Sequence, residues 1–267
     1  MSIHIKTAEE ITGMRAACRL ASEVLDYIAP FVVPGVDTLD LDNKMNDFML
    51  AHGSVSACLG YQPAGMVPYP RSTCISVNHV VCHGIPSANK ILKKGDIVNI
   101  DVTVIKDGFY GDTSRMFCPG GAGILAKRLV DATYECMWRG IDAVAPGVPL
   151  NNVGIACQKV ARREGFSVVR DYGGHGVGRE FHEDPFVAHY DTHDNSITLE
   201  PGMIFTIEPM LNAGGWRVNS LRDGWTVVTK DHSLSAQWEH SILVTDNGYE
   251  VLTVSDGSPA APDFIKH

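Results

Sequence analysis

The residues best suited to chemistry in this chain are carboxylates that come in matched positions. Asp101 and Asp112 stand either side of Asp107-Gly108 in "NIDVTVIKDGFYGDTSRMF" (99–117). β-Branched and aromatic residues flank that dipeptide, and Asp-Gly between two such runs predicts a tight hairpin turn, because both central positions tolerate positive φ. The register follows: Lys106 faces Phe109, and Thr103 faces Asp112. Asp101 shares a face with Thr103, so the two aspartates are diagonal cross-strand neighbours, roughly 7–8 Å apart at the backbone and able to converge. Two carboxylates on an otherwise apolar ribbon repel each other, and something must offset that repulsion.

A faint internal duplication supplies further members of the same group. "KGDIVNIDV" (94–102) and "PGMIFTIEP" (201–209) each place a carboxylate six residues past a glycine, which makes Glu208 the counterpart of Asp101. "CHGI" (82–85) and "GHGV" (174–177) share His-Gly, and "VPGVDTLDL" (33–41) and "APGVPLNNV" (145–153) share Pro-Gly-Val before an amphipathic stretch. Three matched pairs in one order predict two similar halves, about 1–124 and 125–267, with Asp101 and Glu208 approaching across a pseudo-symmetric centre. The second half adds His175 in "DYGGHGVGREFHEDP" and Glu239 in "SAQWEHSILV". Four buried carboxylates and one imidazole would shift their pKa values or destabilise the fold if left alone. Two divalent cations would neutralise them, and oxygen-rich ligation with one nitrogen suits Mn, Fe, Co or Zn without choosing among them. "GGHGVG" lacks the Lys-Ser/Thr of a phosphate loop, so its glycines read as close backbone passage presenting His175. His4, His52, His79, His189, His193, His232, His240 and His267 read as surface or core.

The elements that must position these groups are legible by periodicity. Thr7 and Glu10 have capping-box spacing ahead of apolar residues at Ile11, Met14, Cys18, Ala21, Leu25 and Ile28, predicting a helix over 7–29. Helices are also predicted over 124–143 and over 150–164, the latter ending before Gly165. Strands are expected at 73–83, 97–106, 109–117, 203–213 and 239–246. The fold class is therefore α+β, two pseudo-symmetric α/β halves around a central antiparallel sheet with helices outside. A net charge of −9 argues against broad nucleic-acid binding. No apolar run reaches the ~18 residues of a membrane span, and the start of the chain does not read as a signal peptide. Seven cysteines without a Cys-x-x-Cys pair predict reduced thiols in a cytoplasmic protein.

The ordered set "VCHGIP", "GDIVNIDVTVIKDGFYGDTSRMF", "GGHGVGREFHEDP", "PGMIFTIEPM" and "DGWTVVTKDHSLSAQWEH" resembles the type I methionine aminopeptidases, in their short bacterial form, from about Ile5 to Leu252. The resemblance implies the pita-bread fold as a single catalytic domain over 1–267, and removal of the N-terminal methionine from nascent chains whose second residue is small. It implies that Asp112 and Glu239 bridge two metals, with Asp101 completing one site and His175 and Glu208 the other. Glu208 would double as proton shuttle, His83 would lie near the leaving amide, and His182 near the carbonyl oxygen. The implied methionine pocket comprises Cys58, Tyr61, Tyr69, Cys74, Phe181 and Trp225, with His83 and His182 also touching substrate. A monovalent cation near Asn78, Val80 and Ser235, a monomeric state and an encounter with the ribosome are carried by the same resemblance. One stretch departs from it. "LGYQPAGMVPYP" holds about five extra residues, Gln62–Pro68 forming the excursion, and Gln62 stands where the bacterial family often has histidine. The alternatives are a proline-specific peptidase of the same fold, which usually carries a large N-terminal domain, and a non-catalytic relative, which characteristically loses ligands.

Overall fold

A computed structural model describes residues 3–265; His267 and the Met1-Ser2 start lie outside it. Helix α1, Ala8–Ile28, begins where the capping box closes: Glu10 N donates to Thr7 Oγ1 at 3.3 Å and Thr7 N donates to Glu10 Oε2 at 2.9 Å. It buries Met14, Cys18, Ala21, Leu25 and Ile28, the stripe expected from its spacing. Helix α2, Thr38–Ala51, starts on Asp37, whose side chain accepts from Asp40 N at 2.8 Å. Helices α3, Ile124–Asp142, and α4, Asn151–Glu164, repeat the pair in the second half, and α4 ends at Gly165 with φ +74°.

All strand pairings between named strands are antiparallel. Among the described residues the central layer consists of four sheets rather than one continuous sheet. In the first, Val98–Lys106 pairs with Phe109–Phe117 on one side and with Val55–Ser56 and Cys74–Val77 on the other. In the largest, the order is Gly248–Val251, His240–Thr245, Ile204–Ile207, Gly174–Gly176, Glu183–Val187. A β-bridge from Ser114 to Glu239 links these two sheets, backed by Thr113 Oγ1 donating to Glu239 O and Ser241 Oγ donating to Asp112 O. Ser235–Gln237, Met210–Asn212 and Ser167–Val168 make a third, and Val218–Ser220, Val227–Thr229 and Val80–Cys82 a fourth.

One apolar core lies mainly between α1, α2 and the first sheet, around Met14, Leu25, Leu41, Met45, Ile100 and Val104. Another packs α3 and α4 on the second half's strands, around Leu129, Met137, Val153, Phe205 and Ile207. Alternation along the strands then faces the acids away from the helices. Ile100 and Val102 are fully buried in the first core, so Asp101 and Thr103 point to the opposite face. A Cβ on Gly111 would meet the Ala17 backbone at 2.3 Å, so this strand presses directly on α1 and turns Asp112 the other way.

Candidate metal and peptide site

The hairpin register is as expected: Lys106 opposes Phe109 and Thr103 opposes Asp112, across a turn with φ +52° at Asp107 and +78° at Gly108. Asp101 lies opposite Ser114, so the aspartates are diagonal neighbours. Oxygens of Asp101, Asp112 and Glu239 lie within 4.8 Å of one another. Asp112 also faces the other arm of the cluster, with its Oδ2 3.5 Å from His175 Nε2, which in turn is 3.8 Å from Glu208 Oε1. All five expected ligands are thus brought together, and Asp112 stands between the two arms.

Local backbone explains how His175 gets there. A Cβ on Gly174 would sit 2.2 Å from Thr206 O, and one on Gly176 would sit 2.2 Å from Asp184 O. Only glycine fits between these strands, and the residue between them turns its ring into the centre. His175 Nδ1 hydrogen-bonds the carbonyl of its neighbour Gly176 at 2.9 Å, which leaves Nε2 as the nitrogen aimed at Asp112.

Electrostatically the cluster is frustrated. Burial, then the charge of Asp112, pushes Asp101 well above the usual carboxylate range. Glu239 is raised in the same way by burial and by Asp112, Glu208 and Asp101. Burial lifts Glu208 to about 7, partly opposed by His175. Burial pushes His175 down, but the hydrogen bond to Asp112 and the charges of Glu208 and Asp112 carry it above its ordinary value. Among the described residues, no lysine or arginine pairs with any of the four carboxylates. Four desolvated acids with one imidazole and no other cation are a donor set that fits divalent metal.

The supporting hydrogen bonds include residues that motif reading missed. Thr103 Oγ1 donates to Asp112 Oδ1 at 2.7 Å. Thr206 Oγ1 donates to Glu208 Oε1 at 2.7 Å, and Gln237 Nε2 donates to Glu208 Oε2 at 3.0 Å. Glu208 N donates to Nε2 of buried His189 at 3.0 Å, and burial holds that imidazole down to about 3. Thr206 was accessible in principle, being two positions before Glu208 on one strand face. Gln237 and His189 reach Glu208 only through tertiary structure. Further out, buried Lys6 pairs with Glu183, whose Oε1 accepts from Arg179 N at 3.0 Å and Glu180 N at 3.3 Å. That fastens the turn carrying Phe181 and His182.

The cluster opens into a cavity of about 750 Å³. Its apolar end joins all six expected pocket residues: Cys58, Tyr69, Cys74 and Trp225 are buried together, with Tyr61 and Phe181 packed on them. Met66 and Ile85 pack on the same cluster and were not anticipated; of the two, Met66 lines the cavity. Tyr69 and Trp225 meet edge-on at 5.2 Å, and Tyr61 lies 4.9 Å from Phe181. His83 and His182 border both regions. Burial holds each imidazole down to about 4, with His175 adding to the shift at both. Tyr61 OH lies 2.9 Å from His182 Nδ1. Burial raises the phenol's pKa, so the hydroxyl keeps its proton and can donate it to Nδ1, the arrangement in which a neutral imidazole carries its own proton on Nε2. Asn78 and Ser235 also meet, Ser235 N donating to Asn78 O at 2.8 Å; Val80 opens the strand two residues after Asn78, and Ser235 Oγ is buried without a partner.

A buried cluster of carboxylates and histidine at the centre of two α/β halves defines a metallohydrolase, and residues 12–246 match the model of metallopeptidase family M24. The chain belongs to that family. Within it the chain belongs with the methionine aminopeptidases: it is 58% identical to methionine aminopeptidase of Salmonella typhimurium, over all of this chain and 99% of that protein. It is 55% identical to the Escherichia coli K12 protein of the same name over the same shares. The crystal structure of methionine aminopeptidase from Rickettsia prowazekii superposes with a TM-score of 0.90 at 49% identity, covering 95% of this chain and all of that one. The prolidase of Pyrococcus horikoshii, 22% identical, superposes at 0.72 over 94% of this chain and 64% of its own, which shows the shared pita-bread fold alone.

Proposed function

We propose that this chain removes the N-terminal methionine from polypeptides when the second residue is small, using two divalent cations. The observation that carries this reading is the junction of two unlike surfaces in one cavity: an acidic cluster beside a sulfur-and-aromatic pocket. Asp101, Asp112, His175, Glu208 and Glu239 are the residues that would hold the metals, Asp112 and Glu239 serving both. When bound, such cations supply the Lewis acidity that polarises a peptide carbonyl and makes water nucleophilic at neutral pH.

The chain's own groups do the rest. Cys58, Cys74 and the rings of Tyr61, Tyr69, Phe181 and Trp225 accept an unbranched thioether, each sulfur–aromatic contact being worth ~0.3–1.5 kcal/mol. The free α-amino group sits beside the acidic cluster, which excludes acylated N-termini and internal peptide bonds. His182, neutral and protonated on Nε2, donates to the carbonyl oxygen as it gains charge. His83 lies at the leaving amide. Glu208 takes the proton of the attacking water and passes it to the leaving amine; Thr206 and Gln237 hold its carboxylate while it does so.

A monovalent cation near Asn78, Val80 and Ser235 is part of the same reading, supported by the unpartnered Ser235 hydroxyl. So are one catalytic domain over the whole chain, a monomer working in the cytoplasm on nascent N-termini at the ribosome, and no specific nucleic-acid partner. Among the described residues no helix is long and apolar enough to cross a membrane. Competition among tripeptides tests the specificity: Met-Ala-Ser, Met-Gly-Ser and Met-Ser-Ser should be cleaved and Met-Lys-Ser and Met-Leu-Ser should resist. Comparable kcat/KM for Met-Lys-Ser and Met-Ala-Ser would overturn the second-residue rule.

A further inference from the structure

The run Gln62–Pro68 exceeds the pattern the chain otherwise follows, and no step of the reaction uses it. Its base is closed by backbone bonds: Gly60 N donates to Tyr69 O at 2.8 Å, and Tyr69 N donates to Tyr61 O at 2.9 Å. Inside, Met66 N donates to Pro63 O at 3.0 Å, making a four-residue turn. Gly65, third in that turn, has φ +82°, the left-handed value a type II turn requires there. Two side chains then brace it. Gln62 Nε2 donates to Met66 O at 2.8 Å, and Trp225 Nε1 donates to Val67 O at 2.9 Å. The insertion and the glutamine that departs from the family's usual histidine are therefore one device, since the glutamine amide pins the turn.

This fastening decides which side chain turns inward. Ala64, Gly65, Val67 and Pro68 are exposed, whereas Met66 is half-buried against Cys58, Tyr69, Cys74 and Trp225 and borders the same cavity as the acidic cluster. The indole of Trp225 is held at the same time, through its bond to Val67. The geometry points to Met66 as a substrate-contacting residue: its thioether forms the outer wall of the pocket that receives the substrate's methionine side chain. A thioether suits that place. It is apolar, polarisable and unbranched, so it follows the shape of the side chain it covers and shields it from water.

The inference rests on the methionine-removing reading above, and the test separates the two. Methionine release from Met-Ala-Ser is followed for the metal-loaded full chain and for Met66→Ala and Met66→Leu. Met66→Ala should raise KM about three- to tenfold with kcat within about twofold, the scale of one apolar contact surface lost from a binding wall. Met66→Leu, which restores the volume, should return KM to within about twofold of the unsubstituted chain. No methionine release by the unsubstituted chain overturns both readings. Normal release with an unchanged KM in Met66→Ala overturns this one alone, as does a fall in thermal midpoint with KM unmoved, which would make Met66 a support for the loop only.

Discussion

Tyr61→Phe is the smallest change that separates a pocket wall from a group that aims His182, the imidazole proposed to act on the carbonyl oxygen. Phenylalanine keeps the ring 4.9 Å from Phe181 and 6.3 Å from Trp225, and deletes only the hydroxyl that lies 2.9 Å from His182 Nδ1. On the proposed reading that hydroxyl donates to Nδ1, so that neutral His182 carries its proton on Nε2, the nitrogen left to meet the carbonyl oxygen. Without it the other tautomer competes and the ring loses an anchor. One neutral hydrogen bond is worth ~0.5–1.5 kcal/mol net, which corresponds to a roughly two- to twelvefold fall in kcat. KM should stay within about twofold, because the apolar wall is intact. His182→Ala, which removes the donor itself, should cost ~10²–10⁴ in kcat with metal content unchanged, and His83→Ala should do the same. The double variant Tyr61→Phe/His182→Ala should be no slower than His182→Ala, since the hydroxyl acts only through the imidazole. Steady-state methionine release from Met-Ala-Ser reads all of these. A raised KM with unchanged kcat in Tyr61→Phe, or additive losses in the double variant, would refute the reasoning.

Asp112 faces both arms of the cluster and Asp101 only one, so Asp112→Asn should weaken both metals and Asp101→Asn chiefly one; titration calorimetry of the chelated protein should then give different stoichiometries, and equal ones would count against the shared position of Asp112. His189 is fully buried as a neutral imidazole, held down to about 3 by desolvation, while its unfolded value is near 6.5. The unfolded chain therefore binds a proton that the native chain refuses: the stability is present above pH 6.5 and is lost as pH falls from there toward 3, by roughly 1 kcal/mol per pH unit. His189→Gln, which keeps an acceptor for Glu208 N, should flatten the fall in urea midpoint between pH 7 and pH 5; an unchanged slope would contradict the assignment.

The site was legible in the sequence where chemistry is local or repeated. Asp107-Gly108 alone dictates the register that puts Asp101 and Asp112 on one face, and the matched glycine-to-acid spacing pairs Asp101 with Glu208. Helix α2 was visible only as an amphipathic stretch after Pro34-Gly35. Its apolar stripe is the narrow series Leu41, Met45, Met49 among aspartates and asparagines, and the Asp37 cap does what periodicity does not. The expected central antiparallel sheet is divided among the described residues, because the pairing is irregular and the two largest sheets meet at the Ser114–Glu239 bridge. Gln237, His189 and Lys6 escaped notice because their contacts with Glu208 and Glu183 span from 19 to 177 residues, and no local pattern marks the partner. Met66 escaped because it lies in the one run that the family resemblance does not cover.

The central claim is that the buried acids exist to hold metal for peptide hydrolysis, and one titration addresses it directly. Protein verified as metal-free is mixed with Met-Ala-Ser, and methionine release is followed as a divalent cation is added back. The account predicts no release without metal and full recovery as the sites built by Asp101, Asp112, His175, Glu208 and Glu239 fill. Full peptidase activity in the verified metal-free protein would contradict it.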